Sequence, residues 1–175
     1  MNKFRWHYLV LSALVSALVL TAWSPRLCAQ VVHFKDLMAL LNLEPPPGWE
    51  VAEKPRGSTT KAPVQLSQAE VVFTSGEDKR LEIHIMDVPG AIFSYMGLAM
   101  AMEMESSEEY IKSVTIQGHK GMETYRFKDK EGEIQLPVAD RFLVTVKGSG
   151  LDNTEILHAL AAKLDLKKLA SLAAN

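Results

Sequence analysis

The sequence predicts an α+β fold: an antiparallel β-sheet of about six to seven strands, in the order hairpin, helix, four-strand meander, packed against N-terminal, central and C-terminal helices. Three observations predict it. Residues 110–147 hold four short runs in which apolar and polar side chains alternate, separated by turns rich in Gly and Asp, the signature of an antiparallel meander. Residues 69–74 and 81–88 are two further strand-like runs joined by Ser75-Gly76-Glu77-Asp78-Lys79. The segments before, between and after these runs carry apolar residues at helical spacing. Strands joined by hairpin turns, with helices set outside them, make a layered α+β fold rather than an alternating α/β one.

The chain has 175 residues. Residues 1–29 read as a secretory signal. Lys3 and Arg5 form a basic start, and residues 9–22 are an apolar run short of the ~20 residues a spanning helix needs. Ser24-Pro25 ends the run, and Leu27-Cys28-Ala29 before Gln30 is the expected cleavage site. An uncleaved membrane anchor is one alternative. A lipid-modified Cys28 is another, although Leu27 stands where bacterial lipoprotein signals resemble one another in having a small residue. Residues 30–175 then form one domain, large enough to bury about 68% of its unfolded surface without cross-links.

Residues 33–43 predict a short helix, because Phe34, Leu37, Met38 and Leu41 make one apolar stripe. Pro45-Pro46-Pro47-Gly48 ends it, since proline supplies no N–H and restricts the residue before it. Trp49 opens a short strand through Val51 and is expected to anchor it on the core. Residues 53–63 are rich in Lys, Pro, Gly, Ser and Thr and read as a loop. In the hairpin that follows, Leu81, Ile83 and Ile85 share one face and Glu82, His84 and Met86 the other. His84 is expected to be a core histidine under a helix.

Residues 91–105 predict the central helix, with Phe93, Met96, Met100 and Met104 on one stripe. Met100, Met102 and Met104 also alternate, which leaves a strand at the end of this segment open. In the meander, Gln117-Gly118-His119-Lys120-Gly121 and Asp129-Lys130-Glu131-Gly132 are the first turns, with His119 read as an exposed turn residue. Pro137 predicts that its strand is an edge or is bulged there. After Gly148-Ser149-Gly150, Asp152 is the expected N-cap of a final helix with the stripe Ile156, Leu157, Leu160 and Leu164. Asp165 restarts a short helix carrying Leu166, Leu169 and Leu172.

Composition narrows the partners. The formal net charge is −2, and loss of Lys3, Arg5 and Arg26 with the leader leaves 16 basic and 21 acidic residues. An acidic domain argues against nucleic acid, and against a membrane partner other than through an uncleaved leader. Cys28 is the single cysteine, so cleavage after it leaves the mature domain with neither thiol nor disulfide.

A resemblance rests on Leu40-Leu41-Asn42-Leu43, Pro45-Pro46-Pro47-Gly48-Trp49, Gly118-His119-Lys120-Gly121, Asp140-Arg141-Phe142 and Lys163-Leu164-Asp165-Leu166-Lys167-Lys168-Leu169. Together they resemble the landmarks of a family of small exported bacterial proteins of unknown function, and the element order is similar to the PsbP-like fold. The resemblance implies an antiparallel sheet between helices that serves in docking and assembly. It implies no catalytic residue.

The sequence contains no Gly-x-Ser-x-Gly elbow, His-Glu-x-x-His, Walker loop or Gly-x-Gly-x-x-Gly. His33, His84, His119 and His158 are scattered and give no zinc-ligand spacing. The expected function is therefore a non-enzymatic exported module, periplasmic or secreted, that binds an envelope protein or a small ligand, with no catalytic or cofactor-binding residue. The alternative is Cu(I) or soft-metal binding through segment 96–104, with Met96, Met100, Met104 and His84 as ligands, because thioethers select Cu(I). Against it, methionines on a helix stripe fill cores. A third class, carboxylate catalysis through Asp140, needs a partner carboxylate the sequence does not place. Glu103, Glu105, Glu108 and Glu109 read as a solvated helix end and connector.

Overall fold

The computed structural model describes residues 31–61, 65–87 and 103–174. The leader and most of the expected central helix, with Met96, Met100 and Met102, lie outside the described residues. Within them the fold is α+β with an antiparallel sheet of eight strands, against the six to seven expected.

Helix α1 spans Phe34–Leu40. The His33 ring accepts a hydrogen bond from the Lys35 amide at 3.2 Å and so caps the first turn. Leu37, Leu40 and Leu41 are buried, and Trp49 packs half-buried against the same core. Strand β1 is Glu50–Thr60, where the sequence predicts a loop from residue 53. It is the outermost strand, paired with β2, Leu66–Ser75. An edge strand exposed over most of its length needs no apolar alternation, so the periodic signal is missing. Its register shifts twice, between Val51 and Glu53 and between Glu53 and Arg56, around Lys54 and Pro55. Bulges, proline and charge are what keep an open edge from pairing with another chain.

Strand β3, Lys79–Asp87, completes the predicted hairpin with β2. Strand β4 is only Met104–Glu105, so the end of segment 91–105 is strand, as the methionine alternation left open, and not helix. Strands β5 (Glu109–Ile116), β6 (His119–Arg126), β7 (Glu131–Val138) and β8 (Phe142–Ser149) form the predicted meander. The strand order is β1-β2-β3-β8-β7-β6-β5-β4, antiparallel throughout. The chain leaves the sheet centre at the end of β3 and re-enters at the far edge.

Two turns differ from expectation. Gln117 and Gly118 have φ of 51° and 83°, the two left-handed residues of a tight type I′ hairpin. His119 is therefore the first residue of β6, opposite Ile116, and not a turn residue. Strand β7 is internal, not the edge that Pro137 predicts. Its ladder with β6 ends at Met122 opposite Gln135, however, so at Pro137 the β6 side asks for no N–H.

Helices α2 (Glu155–Lys163) and α3 (Leu166–Ser171) follow. Asp165 caps α3 as predicted, accepting from the Lys168 amide at 2.8 Å. Asp152 does not cap α2. It pairs with Lys130 at 2.7 Å, and Asn153 accepts from the Glu155 amide instead. The Gln117 amide closes the other end of α2, donating to the carbonyls of Ala161, Ala162 and Leu164.

One face of the sheet carries the helices. Phe73, Leu81, Ile83, Ile85, Ile134, Leu136, Phe142, Val144 and Val146 meet Leu37, Leu41, Leu157, Leu160, Leu166 and Leu169 in a single core. The other face presents His84, Met86, Gln135, Leu143 and Thr145, all half-buried. His84 thus points away from the described helices, contrary to expectation. Helix α2 sits in a dent made by Gly132 and Gly148, which face each other across β7 and β8. A Cβ on Gly132 would lie 2.8 Å from Leu157 Cδ1 and 3.0 Å from Thr154 Cγ2. Gly132→Ala is expected to lift the start of α2 and to cost about 1–3 kcal/mol, read as a lower urea midpoint with unchanged m-value.

Candidate functional site

The positions of α2 and the meander bring five polar side chains together on the covered face. Lys112 stands opposite Glu123, and Tyr110 opposite Tyr125, across β5 and β6. Alternation puts all four on the side facing α2. Thr154 and His158 are four residues apart at the start of α2, hence one above the other. Glu123 is fully buried. Its Oε1 accepts from the Tyr110 hydroxyl at 2.5 Å, the Thr154 hydroxyl at 2.7 Å and the Lys112 ammonium at 3.1 Å. Its Oε2 lies 2.5 Å from His158 Nε2.

Burial pushes the Glu123 carboxyl up, but bonds from Tyr110, Thr154, Lys112 and His158 outweigh it and hold the group below its ordinary value. Burial and the bond to Glu123 raise the Tyr110 phenol. For Lys112, burial pulls down, and the bond and attraction to Glu123 overcome it and raise the ammonium. All three directions describe one state: an ionised carboxylate amid donors. A general base needs a pKa near the working pH and a path to substrate. Glu123 has a depressed pKa and no exposed surface. Its chemistry is to tie β5, β6 and α2 to one point.

A second buried charge lies at the other end of the core. Asp87 is 1% exposed and receives a bidentate pair from Arg141 Nε and Nη2, both at 2.9 Å. The Val32 amide donates to Asp87 Oδ2 at 2.6 Å, and Arg141 Nη1 donates to the Ala173 carbonyl at 3.3 Å. This pair joins the start of the described domain, the end of β3, the β7–β8 turn and the C-terminal segment. Its neighbour Asp140 sits exposed in that turn with φ of 50°.

A groove of about 470 Å³ lies at the β4–β5 edge. Glu103, Met104 and Glu105 form one wall, and Tyr110, Ile111 and Lys112 the other. Met104 is 38% exposed. Tyr110 and Lys112 join the groove to the Glu123 cluster: the Lys112 ammonium lies 4.7 Å from the Tyr110 ring centroid while it bonds Glu123.

Of the four residues weighed as soft-metal ligands, Met96 and Met100 lie outside the described residues. Met104 and His84 are not brought together. Met104 is on β4 at the sheet edge and His84 on β3, five strands away in the sheet order, a separation on the order of 20 Å at ~4.8 Å per strand. Glu103, Glu105 and Glu108 are exposed, and Ser106 accepts from the Glu108 and Glu109 amides to order the connector.

The sequence reading missed Glu123. The available signal was a charge in phase with Gly121 and Tyr125 on a strand whose other inward positions are not charged, together with the Thr154/His158 pair beside Leu157 and Leu160. No protein-family model, curated protein or solved structure matches the chain.

Proposed function

We propose that residues 1–29 direct export and that residues 30–175 act in the cell envelope as a non-enzymatic binding module, with the β4–β5 groove as its contact site. The observation that carries this reading is the pairing of an open groove, walled by an exposed methionine, with a titratable cluster whose lone pairs are filled from within. A concavity lined in part by apolar side chains, here Met104 and Ile111, is the default place for a ligand or partner contact. The resemblance to PsbP-like docking modules supports the same reading. Among the described residues no helix is long and apolar enough to cross a membrane. The Cu(I) alternative rests on the sequence of residues 96–104 alone.

Site-specific photo-cross-linking in cells exporting the full chain tests the proposal. A photoreactive phenylalanine analogue at Met104 is expected to give a discrete adduct, and the same analogue at Val51, equally exposed on the opposite sheet edge, none. Equal labelling from both positions, or none from Met104, contradicts it.

A further inference from the structure

We infer that the β4–β5 groove takes an extended cationic segment with apolar anchors, from another protein of the same compartment. The inference rests on the binding-module reading above and adds the chemistry of the partner.

The two faces of the β4–β5 edge differ in chemistry. Met104 and Ile111 are register partners across β4 and β5 and share one face, opposite the face that carries Tyr110 and Lys112. Glu105 pairs with Tyr110 and so lies on that second face, where Glu103, on the other side of Met104 in the chain, falls by the same alternation; both carboxylates are exposed. Neither belongs to an ion pair among the described residues. Lys112, the cation among the described lining residues, is drawn onto Glu123 and the Tyr110 ring. Its charge is spent within the fold, so an extended segment laid along this edge meets an exposed apolar side chain on one face and, on the other, two carboxylates with no ion-pair partner among the described residues.

That pattern selects among occupants. An acidic segment meets repulsion from Glu103 and Glu105. A neutral apolar segment gains the Met104 and Ile111 contact but leaves both carboxylates without partners. A Lys- or Arg-bearing segment with an apolar residue between its cations satisfies both demands. A second copy of the chain is disfavoured, because the mature domain itself carries a net negative charge. Rim charges of this kind steer association and weaken with salt.

Titration of the mature domain with three short labelled peptides tests this, by fluorescence anisotropy at low and high salt. One alternates Lys and Leu, one alternates Glu and Leu, and one alternates Ser and Leu. The Lys–Leu peptide is expected to bind tightest, to lose affinity as salt rises, and to weaken about tenfold or more when Glu103→Lys and Glu105→Lys are combined. Both positions are exposed, so the double variant is expected to keep the wild-type melting temperature, which is measured alongside. Equal binding of the Ser–Leu peptide, or unchanged Lys–Leu affinity in the folded double variant, overturns the inference. If the Lys–Leu peptide fails while the Met104 cross-link persists, the partner chemistry is wrong and the binding module stands. Failure of both removes the binding module as well.

Discussion

Arg141→Met is expected to destabilise the domain by about 3–5 kcal/mol, the cost of stranding a buried carboxylate. Asp87 is 1% exposed and loses both guanidinium bonds. Among the described residues the Val32 amide alone remains to it. Small domains hold about 5–15 kcal/mol in all, so this one change removes a large share, and the melting temperature is expected to fall by about 10 °C or more. The mirror change, Asp87→Leu, leaves the Arg141 charge half-buried and also removes the acceptor for Val32. Combining the two restores part of the loss, because an apolar pair carries no desolvation cost. The recovery stays incomplete, since the Val32 amide still lacks its partner. Chemical denaturation of the two single variants and the double gives all three values. An Arg141→Met loss below about 1 kcal/mol would contradict the burial.

Glu123→Ala is expected to cost about 2–4 kcal/mol, because it leaves the Tyr110 and Thr154 hydroxyls under α2 with their mutual contact at 3.3 Å in place of the carboxylate and removes charge-assisted bonds. The same residue fixes a direction in pH. Its folded carboxyl is held below its ordinary value, while the unfolded chain titrates near the ordinary one. The folded state therefore binds its proton less readily than the unfolded state. The stabilisation is fully present above the unfolded pKa, near about 4.3, and is lost as pH falls through the lower folded value. Glu123→Gln keeps the shape and removes the titration. Wild type is expected to lose stability more steeply than this variant as pH falls below about 5, measured by urea unfolding along a pH series. Parallel acid limbs would contradict the assignment of the charged state.

The sequence carried some of these features and not others, for physical reasons. The four strands of the meander are legible because each is half-buried: Ile134, Leu136 and Val138 face the core and Gln135 and Pro137 do not, so burial writes a period of two. Strand β1 has few buried contacts to record, and its Lys, Pro and Gly residues, which guard an edge, look the same as those of a loop. Strand β4 is two residues long and has no period. Arg141 stands beside Asp140 in the sequence, but its partner Asp87 can be found only by pairing β3 with β8, a contact 54 residues apart in the chain. Glu123 is hidden for a related reason: two of its donors come from α2, and a buried charge shows in sequence only once the register that buries it is known. The groove is less legible still, since it depends on β4 lying beside β5 at a bend ordered by Ser106.

Methyl and imidazole resonances of residues 30–175, followed while the Lys–Leu peptide is added, put the account to its most direct test. The methyl groups of Met104 and Ile111 are expected to shift together and saturate at one affinity, while the His158 ring, locked onto Glu123, stays in place. Shifts centred on His158 and Thr154, with Met104 unmoved, would mean that the buried carboxylate cluster is the working site and the groove is not.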